Sequence, residues 1–239
     1  MTAHPTALSR PQPAMDPGAT SAFLRQLLVT TVPADALAWI DAEIAQQLGG
    51  LDERRLGIAL GVARRKLGRH DIAVSQHFLA GAQDLRQGWQ PQFWATDEIA
   101  RAALLLATYH DDDRAFADRL DKLCATAEVT EHISYLKGLA IFPAGELFYK
   151  RAREGVRSSI TPLFAAVACH NPYPFNFFDS AAWNQMVVKC VFVGEPLDAI
   201  VGLHERRNPE LIQMLRDFAA ERHSAGRPLP KSVLDFITG

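Results

Sequence analysis

Apolar residues recur at helical spacing along most of the chain. Phe23, Leu24, Leu27 and Leu28 fall at i, i+1, i+4 and i+5, one side of a helix. Pro33 suits the first turn of a new helix, because a proline there gives up no intrahelical hydrogen bond. Leu37, Ile40, Ile44 and Leu48 continue the pattern until Gly49-Gly50 stops it. From Asp52, Leu56, Leu60, Ala63 and Leu67 share a face, and Arg64-Arg65-Lys66 place positive charge at the dipole-negative end before Gly68. Val74 to Gln87 reads as a weaker helix, and Gly88 to Pro91 as a break.

Thr96 with Asp97 and Glu98 behind it reads as a helix start, its buried face being Ile99, Ala102, Ala103 and Leu106. Asp111-Asp112-Asp113 starts another, with Phe116, Leu120 and Leu123 inward. Further helices are expected over Val129 to Leu139 and Leu147 to Arg153. A longer one is expected over Val156 to Ala168, with Ser158-Ser159 inside it and Ile160, Leu163, Phe164 and Val167 inward. Asn171 to Phe178 is a connector rich in proline and aromatics. Ala181 to Val193 and a helix opening at Pro209 follow, and Val233 to Ile237 forms a last short one.

No stretch alternates like a strand with hairpin turns. The fold class is therefore all-α. Short links favour antiparallel helical pairs, which a short superhelix of the HEAT or armadillo kind would stack, although no internal repeat of fixed period is present. Residues 1–18, with Pro5, Pro11, Pro13 and Pro17, read as a disordered tail, and residues 19–239 as a single all-helical domain.

Composition changes this picture little but narrows function. The net charge of −2 gives no excess of cations for nucleic acid or an anionic membrane. No run approaches the ~20 apolar residues that cross a bilayer, and the N-terminus lacks the apolar segment of a signal peptide. Cys124, Cys169 and Cys190 are spaced too widely for a C-x-x-C pair. They read as buried thiols in a reducing, cytoplasmic setting.

Catalytic signatures are missing: no G-x-S-x-G, no H-E-x-x-H and no phosphate-binding glycine loop. This argues against enzymatic activity without excluding it, and no cofactor is implied. His110 with Asp111 to Asp113 invites a metal reading, but consecutive helical residues point about 100° apart and do not converge on one ion. His70 and His77 are two turns apart, about 10 Å, too far for one ion. No metal site is expected.

The segment from His170 to Gln185 is different. It sets His170, Asn171, Asn176, Asp179, Asn184 and Gln185 among Tyr173, Phe175, Phe177, Phe178 and Trp183. Polar groups fixed beside aromatics can form a pocket floor. They can equally form a rigid corner whose amides satisfy freed backbone groups, with Asp179 as a helix cap. Arg157, with Arg151 and Arg153, and later Arg206-Arg207 and Arg222, could meet an acidic metabolite or ion-pair with Glu154, Glu205, Glu210 and Glu221.

Several of these pieces resemble the EboA family: R-A-R-E-G-V-R (151–157), N-P-Y-P (171–174), A-W-N-Q-M-V-V-K (182–189), G-L-H-E-R-R-N-P-E-L (202–211) and E-R-H-S-A-G-R-P (221–228). The resemblance is closest over residues 111–239. His204 stands where an acid is expected, Ser159 where Asn is more usual, and no Trp occurs in Leu229 to Ile237. The resemblance implies a helical, non-enzymatic accessory or scaffold protein of a bacterial pathway that makes or exports secondary-metabolite precursors. Its partners would be other proteins of that pathway. A metabolite carrier, whose pocket would use Tyr173, Asn176, Trp183, Asn184 and Arg157, and an unrecognised enzyme are the alternatives. The family supplies no catalytic residues.

Overall fold

The computed structural model describes residues 15–239. Thirteen α-helices account for its regular structure: α1 (Pro17–Val29), α2 (Ala34–Leu48), α3 (Glu53–Leu67), α4 (Gln76–Leu85), α5 (Thr96–Leu106), α6 (Asp113–Thr126), α7 (Val129–Gly138), α8 (Tyr149–Arg157), α9 (Thr161–Ala168), α10 (Tyr173–Phe177), α11 (Ser180–Val193), α12 (Pro209–Ser224) and α13 (Lys231–Thr238). Three short 3-10 turns, at Pro91–Phe93, Gly145–Phe148 and Leu197–Ala199, punctuate them. Among the described residues there is no strand, only an isolated bridge between Asp71 and Ala95. The fold is all-α.

Helix starts follow local chemistry. The carboxylates of Asp16, Asp52, Asp112 and Asp179 each accept hydrogen bonds from backbone N–H groups of the turn they precede, as does the Ser75 hydroxyl. Asp16 places the start of α1 inside the segment read as a tail; residues 1–14 of that segment lie outside the described residues.

Helices α3, α5, α7, α9 and α11 form a row in which each packs on the next but one in sequence. α1 and α2 close over α5, α8 lies against α9, and α12 and α13 cover the far end beside α11. All of α5 is buried, including Asp97, Glu98 and Arg101, because neighbours enclose it on every side. The sequence pattern had marked only one of its faces as buried.

Three expected features are corrected. The helix anticipated over Val156 to Ala168 is broken at Ser158–Ile160, so Ser158-Ser159 lies in a link and Ile160 is exposed. Pro162 has no N–H to give to the carbonyl of Ser158 and would clash with it in a continuous helix. Lys189 Nζ donates instead to the carbonyls of Ser158 (2.8 Å) and Val156 (2.7 Å). The connector Asn171 to Phe178 contains the short helix α10. Leu48, expected inward, is 60% exposed at the end of α2.

Candidate functional site

The residues singled out in the sequence separate into a corner and the wall of a cleft. In the corner, Asn171 Nδ2 donates to the carbonyls of Leu136 (3.2 Å) and Ala166 (2.9 Å), and its Oδ1 accepts from Tyr173 N. Tyr173 is fully buried, its hydroxyl donating to Gly145 O and its ring stacked on Phe177. Asn176 is half-buried in α10. Asp179 caps α11 through Ala182 N (2.7 Å) and accepts from the Tyr149 hydroxyl (2.7 Å). Burial works to raise its pKa, but those two hydrogen bonds and Arg153 prevail and hold it below the usual carboxylate range.

Trp183 is fully buried, with the Arg206 guanidinium 4.6 Å over its ring and Phe175 at its edge. Arg206 also donates to the carbonyls of Pro174 and Phe175, and burial lowers its pKa. Asn184 is buried and paired with Asn208. Gln185 and Arg157 are exposed; Gln185 accepts from Arg153, and Arg157 borders a shallow groove along α8. The structure therefore does not gather Tyr173, Asn176, Trp183, Asn184 and Arg157 around one space. The Asn184 amide serves packing, as a buried amide with a protein partner does. Of the expected arginine pairs, Arg151 does meet Glu154 (2.8 Å), and it also holds Asp121.

His170 faces elsewhere, into a cleft of about 310 Å³ that Asn171 borders from the corner; the loop after α3, the turn before α5, and helices α5, α7 and α9 build it. Its walls are mainly apolar: Trp89, Phe93, Trp94, Ile133, Ala140, Pro162, Ala165 and Ala166. His170 sits in the left-handed backbone region (φ 54°), held by its N–H to Ala199 O (2.7 Å). Its ring stacks on Phe93 with centroids 3.4 Å apart, and Nδ1 lies 2.9 Å from Gln90 Oε1. Burial, then the nearby Lys137, lowers the His170 pKa, so the imidazole is neutral at pH 7.

One side of the cleft carries charge. Lys137 Nζ donates to Glu98 (2.6 Å) and to Phe93 O (2.9 Å), and Arg69 Nη2 donates to Glu98 (3.1 Å). Behind them Arg101 donates to Asp97 (2.7 Å), to Leu60 O (3.0 Å) and to Ser134 Oγ (3.3 Å). Asp97 and Glu98 have no exposed surface, whereas the side chains of Lys137 and Arg69 are 21% and 38% exposed. Buried carboxylates persist only when paired like this. Sequence reading missed the network because its members lie far apart along the chain; the one local trace is Asp97 and Arg101 at i, i+4.

Among the described residues no group of three or more His, Cys, Asp or Glu could hold a metal, and no helix is long and apolar enough to cross a membrane. The three thiols are free and buried.

Fold and cleft together define an all-helical protein with room for one small molecule, of a size within the range of small-ligand pockets. The family model described as metabolite traffic protein EboA matches residues 20–238, nearly the whole chain, and the protein belongs to the EboA family. The match reaches well upstream of residue 111, where the resemblance in sequence motifs was closest. No curated protein and no solved structure matches the chain.

Proposed function

We propose that this protein binds a small metabolite in the cleft lined by Trp94, Ile133, Ala165 and His170, as a carrier within a metabolite pathway. The observation that carries the reading is the cleft itself: apolar walls, a fixed aromatic–imidazole stack, and a charged network along one side. Such a combination of apolar surface with a few fixed polar groups is what small-ligand sites use. A metabolite traffic role accords with it. A bacterial secondary-metabolite pathway and protein partners are inferred from the family resemblance, and a cytoplasmic setting from the widely spaced cysteines. A carrier of this kind works without turnover, and the reading assigns no catalytic residue.

The test is thermal stabilisation by a small-molecule extract of the native host. Ligand that binds only the native state raises its stability. The wild type should gain several degrees in Tm, and Ala165→Trp, which fills the cleft, should gain none. Equal gains in both proteins would place the binding elsewhere and overturn the reading.

A scaffold role is a second reading, favoured by Phe192. This side chain is 67% exposed at the end of α11 and meets Phe218 of α12 edge-on, a point where an apolar side chain of a partner could seat. Phe192→Lys should then abolish association with another pathway protein while leaving cleft binding intact; unchanged association would remove this reading.

A further inference from the structure

The two signs of charge beside the cleft are not equally available. Both oxygens of Glu98 are committed, one to Arg69, the other to Lys137 and to Ala95 N, and neither Glu98 nor Asp97 has exposed surface. The cations in front of them are only partly used. Lys137 spends two of its donors on Glu98 and Phe93 O, and Arg69 is more than a third exposed with donors to spare. Counted together, Arg69, Arg101 and Lys137 face two carboxylates, so the network carries one positive charge in excess. Glu195, another residue of the cleft, comes from the loop after α11, sits beside Cys169 and makes no ion pair with Arg69 or Lys137.

We infer that the cleft selects an amphipathic anion: a small molecule whose carboxylate or comparable acidic group takes the open donors of Arg69 and Lys137, with its apolar body against Trp94, Ile133 and Pro162. This rests on the cleft being the ligand site and adds the polarity of what enters it. Guanidinium and ammonium donors bind such groups through charge-assisted hydrogen bonds, and the surrounding apolar wall lowers the local dielectric and strengthens them. On this side a cation would meet Arg69 and Lys137 first, with Asp97 and Glu98 buried behind them; Glu195 lines the cleft from the loop after α11. A neutral apolar molecule would fill the walls and leave the donors to water.

The experiment compares two fluorescent probes with the same rings, anilinonaphthalene sulfonate and the uncharged phenylnaphthylamine. Each is titrated into the wild type, Arg69→Gln, Lys137→Met, Lys137→Arg and Ala165→Trp. Expected is a preference for the sulfonate that falls about ten-fold in Arg69→Gln and Lys137→Met and is kept in Lys137→Arg, the size of one charged hydrogen bond. Lys137→Met exposes Glu98 to the loss of a partner and can unfold the protein; Arg69→Gln, at a more exposed position, then carries the comparison. If both probes lose binding in Ala165→Trp but their relative affinity is the same in every charge variant, the cleft binds ligands without selecting anions and the inference fails alone. If Ala165→Trp changes neither probe, the cleft is not a binding site, and the proposed function fails with it.

Discussion

Asn184 and Asn208 hold each other by two hydrogen bonds, Asn184 Nδ2 to Asn208 Oδ1 (3.2 Å) and Asn208 Nδ2 to Asn184 Oδ1 (2.9 Å). The same Asn208 oxygen accepts from Leu211 N at the start of α12, and its amide also donates to Arg206 O. One pair of amides thus joins the middle of α11 to the cap of α12. Asn184→Ala leaves the Asn208 amide short of partners in a largely buried place and should cost about 2 kcal/mol. Urea unfolding of the variant measures this. Binding in the cleft should be unchanged, since neither residue lines it.

Gly202 faces Phe175 so closely that a Cβ would lie 1.9 Å from the ring, and its φ is +77°. Gly202→Ala must overcome both the left-handed backbone and the overlap, a combined cost of about 3 kcal/mol or more. A fall in Tm much larger than that of Gly194→Ala is expected. Gly194 also has positive φ (+84°) but no atom within reach of an added Cβ, so the difference between the two variants isolates the clash.

Thiol chemistry should follow burial. Burial pushes the Cys124 thiol from its ordinary 9.0 up to about 12, and Cys190 is raised by its hydrogen bond with Cys169 and then by burial. At pH 8 the thiolate of Cys124 is then rarer by roughly three orders of magnitude than that of an ordinary cysteine, and alkylation slows accordingly. Iodoacetamide labelling followed by mass spectrometry should mark Cys169, which borders the cleft, well before Cys124 or Cys190. Fast labelling of Cys124 in the native protein would contradict this packing.

Acid should loosen the fold through two half-buried imidazoles. His170 and His132 both have pKa values lowered in the folded protein, chiefly by burial, below the 6.5 of an open chain. The unfolded chain takes up protons first as pH falls, so their contribution is intact above about pH 6.5 and is lost progressively below it. The slope of Tm between pH 7 and pH 5 should flatten in His170→Gln, with a further flattening when His132→Gln is added. An unchanged slope in the double variant would contradict the assignment.

Most of the architecture was legible because amphipathic periodicity and caps are local. Leu56, Leu60, Ala63 and Leu67 lie on one buried stripe of α3, and Asp112 and Asp179 cap the helices their positions suggested. Pro162 is the local cause of the break before it, but Ile160, Leu163, Phe164 and Val167 keep helical spacing across that point. The corner from Asn171 to Asn208 stood out for its unusual residues, and most of those residues are occupied in building it. Arg206 over Trp183, Gly202 against Phe175 and the Asn184–Asn208 pair are the contacts that build it.

The cleft was illegible for a physical reason. Arg69, Glu98, Lys137 and His170 come from four separate segments, and their meeting depends on how α5, α7 and α9 stack. Only His170 and Asn171 had been singled out.

The most direct measurement is native mass spectrometry of the wild type and Ala165→Trp, each purified gently from the host. The account predicts one bound species of small-molecule mass on the wild type, absent from the filled-cleft variant that still folds. A bare wild-type chain, or the same added mass on both proteins, would contradict it.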